Sequence, residues 1–339
     1  MRFYELNLYQ PDDTSKPVRT WTSFPNGQFD PGALNVEFDV TVVAYHTPVG
    51  GSSITIHGVA LQDLMQPQQF GLQIVGNKVF PGMYIELKGG MGRGLPLANP
   101  AQANTLLKGQ IYESFGTWQG TEMQLDFTIN PADFSSDNPG NYVLNWQAGQ
   151  PLQTALQNCL AVAHPNMPTL FGISDQLVQS ETEVHFCSTL EELAQYVQEV
   201  TSGQFLGDDY PGVSIAVNAG TINVFDGSQP PQATVQINFT DLIGQPTWLD
   251  AGTMQLMVVM RGDVSVGSQI RMPQGFTSGA GATIFQSNNQ STSAFNYNLT
   301  FLGTFLVTGV RHIGHFRSSS GESWATVINC TPTTPAGSF

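Results

Sequence analysis

The strongest constraint on the fold is a period of two in the apolar residues near the end of the chain. Small or apolar residues occupy alternate positions from Leu299 to Val307, a spacing that indicates a half-buried β-strand. A polar turn containing glycine follows at residues 318–322, and a second strand runs through Trp324, Thr326 and Ile328. We therefore predict a long antiparallel hairpin at this end of the chain.

The same order of elements occurs in an earlier block of the chain. Four features recur: a long strand, a second strand after a glycine-containing turn, a strand led by glycine and, after a long loop, a closing pair of strands. They fall at residues 36–45, 54–58, 82–87 and 107–129 in the first block, and at 235–239, 254–260, 267–272 and 299–329 in the second. The repeated pattern predicts two copies of one barrel-like unit.

Between the blocks the spacing of apolar residues changes from strand-like to helical. Apolar residues recur at helical spacing from Leu152 to Ala163, after Pro151, a residue suited to the first turn of a helix. A second helix follows the letters S-T-L-E from Ser188 to Glu191, which form a capping box. Short strands at residues 213–217 and 221–225 flank a hairpin turn.

The predicted fold class is therefore mainly β, with two tube-like antiparallel β-barrel domains flanking a small α+β domain. The predicted limits are 1–135 for the first barrel, 136–149 for a linker rich in Pro, Asp, Asn and Ser, 150–230 for the α+β domain and 231–339 for the second barrel.

Composition and charge narrow the classes of function. Lys+Arg number 11 against Asp+Glu 26, a formal charge of −15, which disfavours nucleic-acid binding through phosphate contacts. The same charge suits a surface that DNA passes without adhering, although solubility alone also accounts for it. No apolar run approaches the roughly 18 residues of a membrane span, so no membrane insertion is expected.

The start of the chain and the cysteines indicate an intracellular origin. Residues 1–10 lack the apolar run of a signal peptide. Cys159, Cys187 and Cys330 are odd in number and widely spaced, which predicts free thiols in a reducing compartment.

No residue pattern predicts an enzyme. His312 and His315 lie three residues apart, which on a strand places them on opposite faces without a third metal ligand nearby. The neighbours Asp208 and Asp209 are more typical of a solvated loop than of a paired acid and base, and Arg261-Gly262-Asp263 of a turn than of a cell-attachment site. Motifs of hydrolases, P-loop proteins and zinc proteases do not occur. We expect no catalytic residue, cofactor or metal.

Several stretches resemble the baseplate hub proteins of contractile-tailed bacteriophages. The C-terminal stretches INFTDLIGQPTW, MRGDVSVGSQIRMP, GTFLVTGVRHIGHFR and SGESWATVI carry the more specific part of the resemblance. SITIHGVALQDLMQ and LLKGQIYESFGTW are similar to the N-terminal barrel of that family, and LQTALQNCL with CSTLEELAQYVQEVT to its middle domain. The hub part of type VI secretion spike proteins shares this design.

The resemblance implies a structural virion protein. A homotrimer would form a ring of six similar units that joins the hexameric tail tube, or a tube-initiator ring, to a trimeric spike, with a lumen for DNA. The chain lacks a long spike-like extension, so the spike is expected to be a separate protein. Baseplate wedge proteins would be further partners, and assembly would take place in the host cytoplasm.

Two expectations concern particular residues. Glu37, Asp39, Glu86 and Asp126 alternate with apolar neighbours on strands, so they are candidate lumen-facing acidic residues; the same face could instead lie outside. The loops at 89–102 and 273–293 are expected at ring edges, mobile until partner rings order them.

Two alternative functions are open. Five tryptophans on a surface rich in Asn, Gln, Ser and Thr would suit a carbohydrate-binding or carbohydrate-hydrolysing β-rich protein; they are Trp21, Trp118, Trp146, Trp248 and Trp324. A hexameric tube protein is the second alternative, although such a subunit needs one barrel rather than two.

Overall fold

The computed structural model describes residues 2–45, 51–76, 78–92, 99–130, 141–250, 252–273, 301 and 303–333. The fold is mainly β, as predicted. Its strands are β1 (Arg2–Tyr9), β2 (Arg19–Thr22), β3 (Asn35–Val43), β4 (Ser52–His57), β5 (Gln73–Val75), β6 (Lys78–Phe80), β7 (Tyr84–Met91), β8 (Asn104–Gln119), β9 (Glu122–Asn130), β10 (Tyr142–Trp146), β11 (Thr169–Gly172), β12 (Glu183–Cys187), β13 (Ser214–Asn218), β14 (Thr221–Phe225), β15 (Val235–Gln236), β16 (Thr247–Trp248), β17 (Met254–Val259), β18 (Gln269–Arg271), β19 (Thr304–His315) and β20 (Trp324–Pro332). Its α-helices are α1 (Leu61–Met65), α2 (Leu152–Ala163) and α3 (Leu190–Thr201).

One 13-stranded sheet runs through both β-rich blocks, in the order β16-β17-β20-β19-β3-β4-β9-β8-β7-β1-β2, with β18 beside β19 and β15 beside β18. The link between the blocks is the antiparallel pair β3–β19, in which Val43 lies opposite Gly309 and Glu37 opposite His315. The predicted β19–β20 hairpin is confirmed. At the level of backbone hydrogen bonds, the blocks are thus one sheet rather than two separate ones.

The predicted repeat is present in the strand order. Unit 1 is the series β3-β4-β9-β8-β7-β1, and unit 2 is the series β16-β17-β20-β19-β18-β15. Corresponding strands also pair in the same register: β4 meets β9 from Ser52↔Ile129 to His57↔Gln124, and β17 meets β20 from Met254↔Cys330 to Val259↔Ala325, both without a shift. The two units differ at their last member, because β1 is antiparallel to β7 whereas β15 is parallel to β18.

The sequence prediction was wrong about where unit 2 begins. Residues 235–239 were predicted as its first long strand, but β15 ends at Gln236 and a 3₁₀ turn occupies Phe239–Asp241. The Asn238 backbone N–H donates to Asp241 Oδ2 at 2.9 Å, so a reciprocal cap ends the extended chain there. The counterpart of β3 is instead residues 242–248, where Leu242 faces Val258 and Thr247 faces Gln255.

Two other predicted limits differ from the structure. The closing pair of strands predicted at residues 107–129 begins earlier, at Asn104, and its turn comes after Gln119, where β8 ends. In the loop predicted at 89–102, β7 continues to Met91 and Gln102 is buried; residues 93–98 lie outside the described part, as does nearly all of the second loop, 273–293.

Both units share one hydrophobic core. Burial alternates strictly along β3, so that Val36, Phe38, Val40 and Val42 point into this core. Trp324 of unit 2 packs edge-on against Phe38 of unit 1, with ring centroids 5.3 Å apart, and its indole N–H donates to the Gly90 carbonyl at 2.9 Å. Gly314 lies beneath the Phe38 ring, where a Cβ atom would sit 2.1 Å from Phe38 Cζ.

The middle of the chain forms a small α+β body with its own core. Residues 136–149 were predicted as a linker, but β10 lies there and pairs with β12. The capping box predicted at Ser188–Glu191 is not formed there. Thr189 is the N-cap and its hydroxyl accepts from the Glu192 N–H at 3.1 Å, while the Glu192 carboxylate accepts from the N–H of Ser188, the residue before the cap, at 2.6 Å. Pro151 precedes α2 as its N-cap.

This body is attached to both units at their junction. The Tyr45 N–H of unit 1 donates to the Ile215 carbonyl at 3.0 Å. On the side of unit 2, the Asn218 side chain accepts from the Val266 N–H at 3.0 Å, and the Asn223 amide donates to the Val266 carbonyl at 2.9 Å. The α+β body therefore contacts both units rather than one of them.

The Arg261-Gly262-Asp263 turn is part of the same junction. Arg261 is 2% exposed and contacts Asp263 through Nε at 2.7 Å and Asp241 through a terminal nitrogen at 3.2 Å. The Gly262 N–H donates to the Gln102 carbonyl at 2.9 Å, and Gln102 Nε2 reaches Asp241 Oδ1 at 3.3 Å. This turn therefore binds unit 1 to unit 2, and its buried arginine is inaccessible to a receptor.

Two further observations complete the description. The three cysteines are free and buried. In the described residues, no helix has the length and apolar character needed to cross a membrane.

We predict that Gly314→Ala destabilises the protein by about 1–3 kcal/mol, because the added methyl group overlaps the Phe38 ring. Gly321→Ala is the matched control, since a Cβ at Gly321 meets no atom within 4 Å. Urea unfolding measures both. Adding Phe38→Leu to Gly314→Ala should recover part of the loss, and an equal effect of both glycine substitutions would contradict the packing described.

Candidate functional site: the polar face of the sheet

The four acidic residues singled out from the sequence lie on one side of the sheet, opposite the core. We call this side the polar face; it is defined by Glu5, Glu37, Asp39, Thr55, Glu86, Lys88, Asp126, Arg311 and His315. The register aligns His315, Glu37, Thr55, Asp126 and Phe115 in one row across β19, β3, β4, β9 and β8. Because paired residues of a sheet share a face, these side chains form one continuous surface that crosses the junction of the units.

On β3 both carboxylates are held by side chains of the other unit. Asp39 accepts a bidentate pair of hydrogen bonds from Arg311, at 2.8 Å from Nε and 2.5 Å from a terminal nitrogen. This contact raises the pKa of Arg311. Glu37 Oε1 lies 3.0 Å from His315 Nε2 and 3.2 Å from His57 Nε2. Polar contacts therefore reinforce the backbone pairing of β3 with β19.

Glu86 is the centre of a network on β1, β7 and β8. It accepts from the Tyr9 hydroxyl at 2.9 Å and the Thr105 hydroxyl at 3.1 Å, and Lys88 lies 3.6 Å away while also contacting Glu5 at 3.0 Å. Burial by itself raises the pKa of Glu86, but the Tyr9 hydroxyl, the Lys88 charge and the Thr105 hydroxyl outweigh it and lower that pKa. Burial and the Glu86 carboxylate raise the pKa of Tyr9 to about 12.

Asp126 is held by neutral donors. The Thr55 hydroxyl donates to Oδ1 at 2.6 Å, and the Gln124 amide contacts both carboxylate oxygens at 2.9 and 3.0 Å. Each of the four predicted carboxylates is thus a member of a cross-strand contact rather than a free charge.

The other residues considered as reactive groups from the sequence lie apart from one another in the structure. Among the described residues, no group of three or more His, Cys, Asp or Glu side chains is arranged to hold a metal. His312 and His315 point to opposite faces, as predicted: His312 is buried against the Thr326 hydroxyl, with Nδ1 at 3.0 Å, and His315 lies on the polar face. Asp208 and Asp209 lie exposed in a turn of the α+β body.

Three of the five tryptophans are buried in the hydrophobic cores. Trp146, Trp248 and Trp324 are at most 2% exposed, so they cannot stack on a sugar. Trp118 is 59% exposed at the far end of β8, and Trp21 lies beneath the guanidinium of Arg19. Most of the feature that suggested carbohydrate binding is therefore core packing.

Much of the excess negative charge lies in the α+β body. No lysine or arginine occurs from residue 109 to residue 260, a stretch that contains the whole α+β body. Exposed carboxylates of that body include Glu181, Glu191, Glu199, Asp208 and Asp209. On the polar face, by contrast, Lys88 and Arg311 offset neighbouring carboxylates.

Sequence reasoning identified the carboxylates but missed their partners. Arg311 lies 272 residues from Asp39 in the chain. The alternation of apolar residues places Arg311 and His315 on the solvent-facing side of β19, and this was the feature of the sequence that could have identified them. It does not tell which strand lies beside β19, so the pairs could not be derived.

The chain was compared with known proteins. No protein-family model matches it, and no curated protein matches its sequence. Similar solved structures include a tail protein from Neisseria meningitidis MC58, with 10% identity and a TM-score of 0.47 over 97% of this chain and 96% of that one. Another is the 43 kDa tail protein of prophage MuSo2 from Shewanella oneidensis, with 8% identity and a TM-score of 0.49 over 97% and 98%.

A third similar structure is the E. coli c3393 protein, a component of the type VI secretion system with structural similarity to the T4 bacteriophage tail proteins gp27 and gp5. It has 10% identity and a TM-score of 0.41 over 89% of this chain and 74% of that one. The first two neighbours are tail proteins, and the third is a component of a type VI secretion system.

We predict that His312 makes the stability of the protein depend on pH. Burial lowers its pKa to about 3 from the ordinary 6.5, so below pH 6.5 the unfolded chain binds a proton that the folded chain does not. Stability is therefore full above pH 6.5 and falls as the pH drops towards 3, by on the order of 3 kcal/mol at pH 4.

Urea unfolding between pH 7 and 4 measures this dependence. His312→Gln should flatten the slope whatever its effect on stability at pH 7. His315→Gln, which keeps the buried ring, is the control. Equal slopes for the wild type and His312→Gln would show that this ring is not the group that titrates.

Proposed function

We propose that this protein is a structural subunit of a phage tail, a trimeric baseplate hub that joins a hexameric tail tube to a trimeric central spike and encloses a lumen for DNA. It acts through geometry and not as an enzyme. Its partners are the tail tube or a tube-initiator ring, a separate spike protein and baseplate wedge proteins, and it resides in the virion.

The observation that carries the proposal is the internal repeat. Two units with the same strand order and register follow one another in one chain. A ring of three such chains presents six similar sheet units on one side and keeps threefold symmetry overall. That combination is what an adaptor between a sixfold tube and a threefold spike requires. In this proposal each unit is one of the two tube-like barrels.

The contact between the units supports a ring. The pair β3–β19 joins two different surfaces, the first strand of unit 1 and the long strand of unit 2. A contact between unlike surfaces, if repeated with a constant rotation, generates a closed ring or a helix rather than an isolated pair. An adaptor subunit built in this way carries one such contact inside the chain and forms the others between chains.

The polar face supports a lumen that DNA can pass. Glu37, Asp39, Glu86 and Asp126 are our candidate lumen residues, and their hydrogen bonds hold them in a fixed layer. Phosphate contacts by Lys and Arg give non-specific DNA affinity. On this face Arg311 is engaged by Asp39 and Lys88 by Glu5 and Glu86, so these cations have carboxylate partners already.

We predict that the purified protein, alone or with its spike, is a trimer. Sedimentation equilibrium or native mass spectrometry should give three times the subunit mass of 36.7 kDa, plus the mass of the spike where it is present. A stable monomer at high concentration in the presence of the spike would contradict the hub proposal.

We also predict that Asp126→Lys on the polar face slows DNA release from assembled particles, more at low salt than at high salt, because exposed charges are screened by salt. Asp208→Lys makes the same change of charge in an exposed turn of the α+β body and is the control. DNA release is measured by dye uptake after ejection is triggered. Lost assembly, with normal release from the remaining particles, would place Asp126 in a protein interface instead.

A further inference from the structure

The long strands of the two units, β8 and β19, change partners at the same place. Each has a register shift against its hairpin partner, between Ile111 and Glu113 in β8 and between Val307 and Gly309 in β19. Before the shift, β8 pairs with β7, and β19 pairs with β18 in the equivalent register. The pair of Gly109 with Ile85 in unit 1 therefore corresponds to the pair of Phe305 with Ile270 in unit 2. Residues 113–119 of β8 therefore correspond to residues 309–315 of β19.

After the shift the two strands differ. Residues 309–315 of β19 pair with β3 on their outer edge. Residues 113–119 of β8 pair with β9 on one edge, and their other edge meets no further strand in the part of the chain that the structure describes. The Leu72 N–H donates to the Tyr112 carbonyl, and α1 packs on the core side of Gly116. The Ser114 hydroxyl also donates to the Pro67 carbonyl. Among the described residues the edge is open beyond these contacts, with Phe115 56% and Trp118 59% exposed.

Unit 2 has an open edge of the matching kind. The counterpart of β3 in unit 2 ends in β16, which is the last strand on that side of the sheet among the described residues. β16 pairs with β17 as β3 pairs with β4: Thr247 lies opposite Gln255, and Asp39 lies opposite Ser53. Thr247 is therefore the equivalent of Asp39, and two residues further along Leu249 is the equivalent of Thr41. Leu249 is 44% exposed. Natural proteins usually protect sheet edges, because an unpaired edge is a template for another strand.

We propose that residues 247–249 of a second copy pair with the open edge of β8, as β3 pairs with β19 within the chain. In the equivalent register Phe115 lies opposite Leu249 of the second copy, as Arg311 lies opposite Thr41. Both are exposed apolar residues, and an aromatic residue opposite an aliphatic one is a stabilising cross-strand pair. This inference rests on the proposed ring and names the surface by which its subunits meet.

The register also places the new pair on the correct side of the sheet. Phe115 faces Asp126, so it lies on the polar face, and Thr41 belongs to the same face as Asp39. The polar face would therefore continue from one copy to the next without a break. A strand equivalent to β3 fits this edge, and within the described part of the chain residues 247–249 occupy the equivalent position and have no outer partner strand.

Cysteine cross-linking tests the pairing. Phe115→Cys combined with Leu249→Cys should give covalent dimers and trimers with a short bismaleimide. The wild type, whose three cysteines are buried, and each single variant should give none. Cross-linking of a single variant to itself would show a contact between like surfaces and overturn the proposal.

A charge on the edge gives a second readout. Phe115→Lys should weaken association more than about tenfold, as expected for a central aromatic contact. Tyr112→Lys is the matched control, because Tyr112 is 49% exposed on the same strand but its carbonyl is already bonded to Leu72.

The two readouts together separate this surface from the hub proposal. A trimer by mass that neither cross-links in the double cysteine variant nor responds to Phe115→Lys would refute this surface and leave the hub proposal intact. A monomer in all assays, spike included, would refute both.

Discussion

The antiparallel pair β3–β19 is the contact on which the rest of the structure depends. It joins segments from opposite ends of the chain, and it converts two similar units into one sheet with one core. Gly314 is required at this position because the Phe38 ring occupies the space of a side chain. The ion pair of Asp39 with Arg311 and the contact of Glu37 with His315 lie directly over the same pair of strands.

The buried Arg261 fixes the second contact between the units. A charge in the interior is stable only when partners replace its lost hydration, and here Asp263 and Asp241 do so. Removal of either partner would leave a charge without compensation, so the turn tolerates little change. Gln102 of unit 1 contacts both the turn and Asp241. The polar contacts of Arg261 and the apolar packing around Trp324 together hold the two units against each other.

Much of the fold followed from the period of the sequence. Alternation identified β3, β4, β9, β19 and β20, helical spacing identified α2 and α3, and the order of elements revealed the repeat. Register and partner choice did not follow, since alternation assigns a face but not a neighbour. For this reason the pair β3–β19 and the partners of Glu37 and Asp39 were missed. The short β15 was mistaken for a long strand because the reciprocal cap between Asn238 and Asp241 overrode its alternation.

The sequence distance between β3 and β19 has a consequence for synthesis on the ribosome. The first unit emerges early, whereas β19 is among the last segments to leave the exit tunnel. Until then the outer edge of β3 has no partner, and an unpaired edge can recruit a strand from another nascent chain. The closure of so long a loop also makes this pairing slow relative to local hairpins. Chains that terminate early would carry that exposed edge permanently, and their expected fate is aggregation or degradation rather than incorporation.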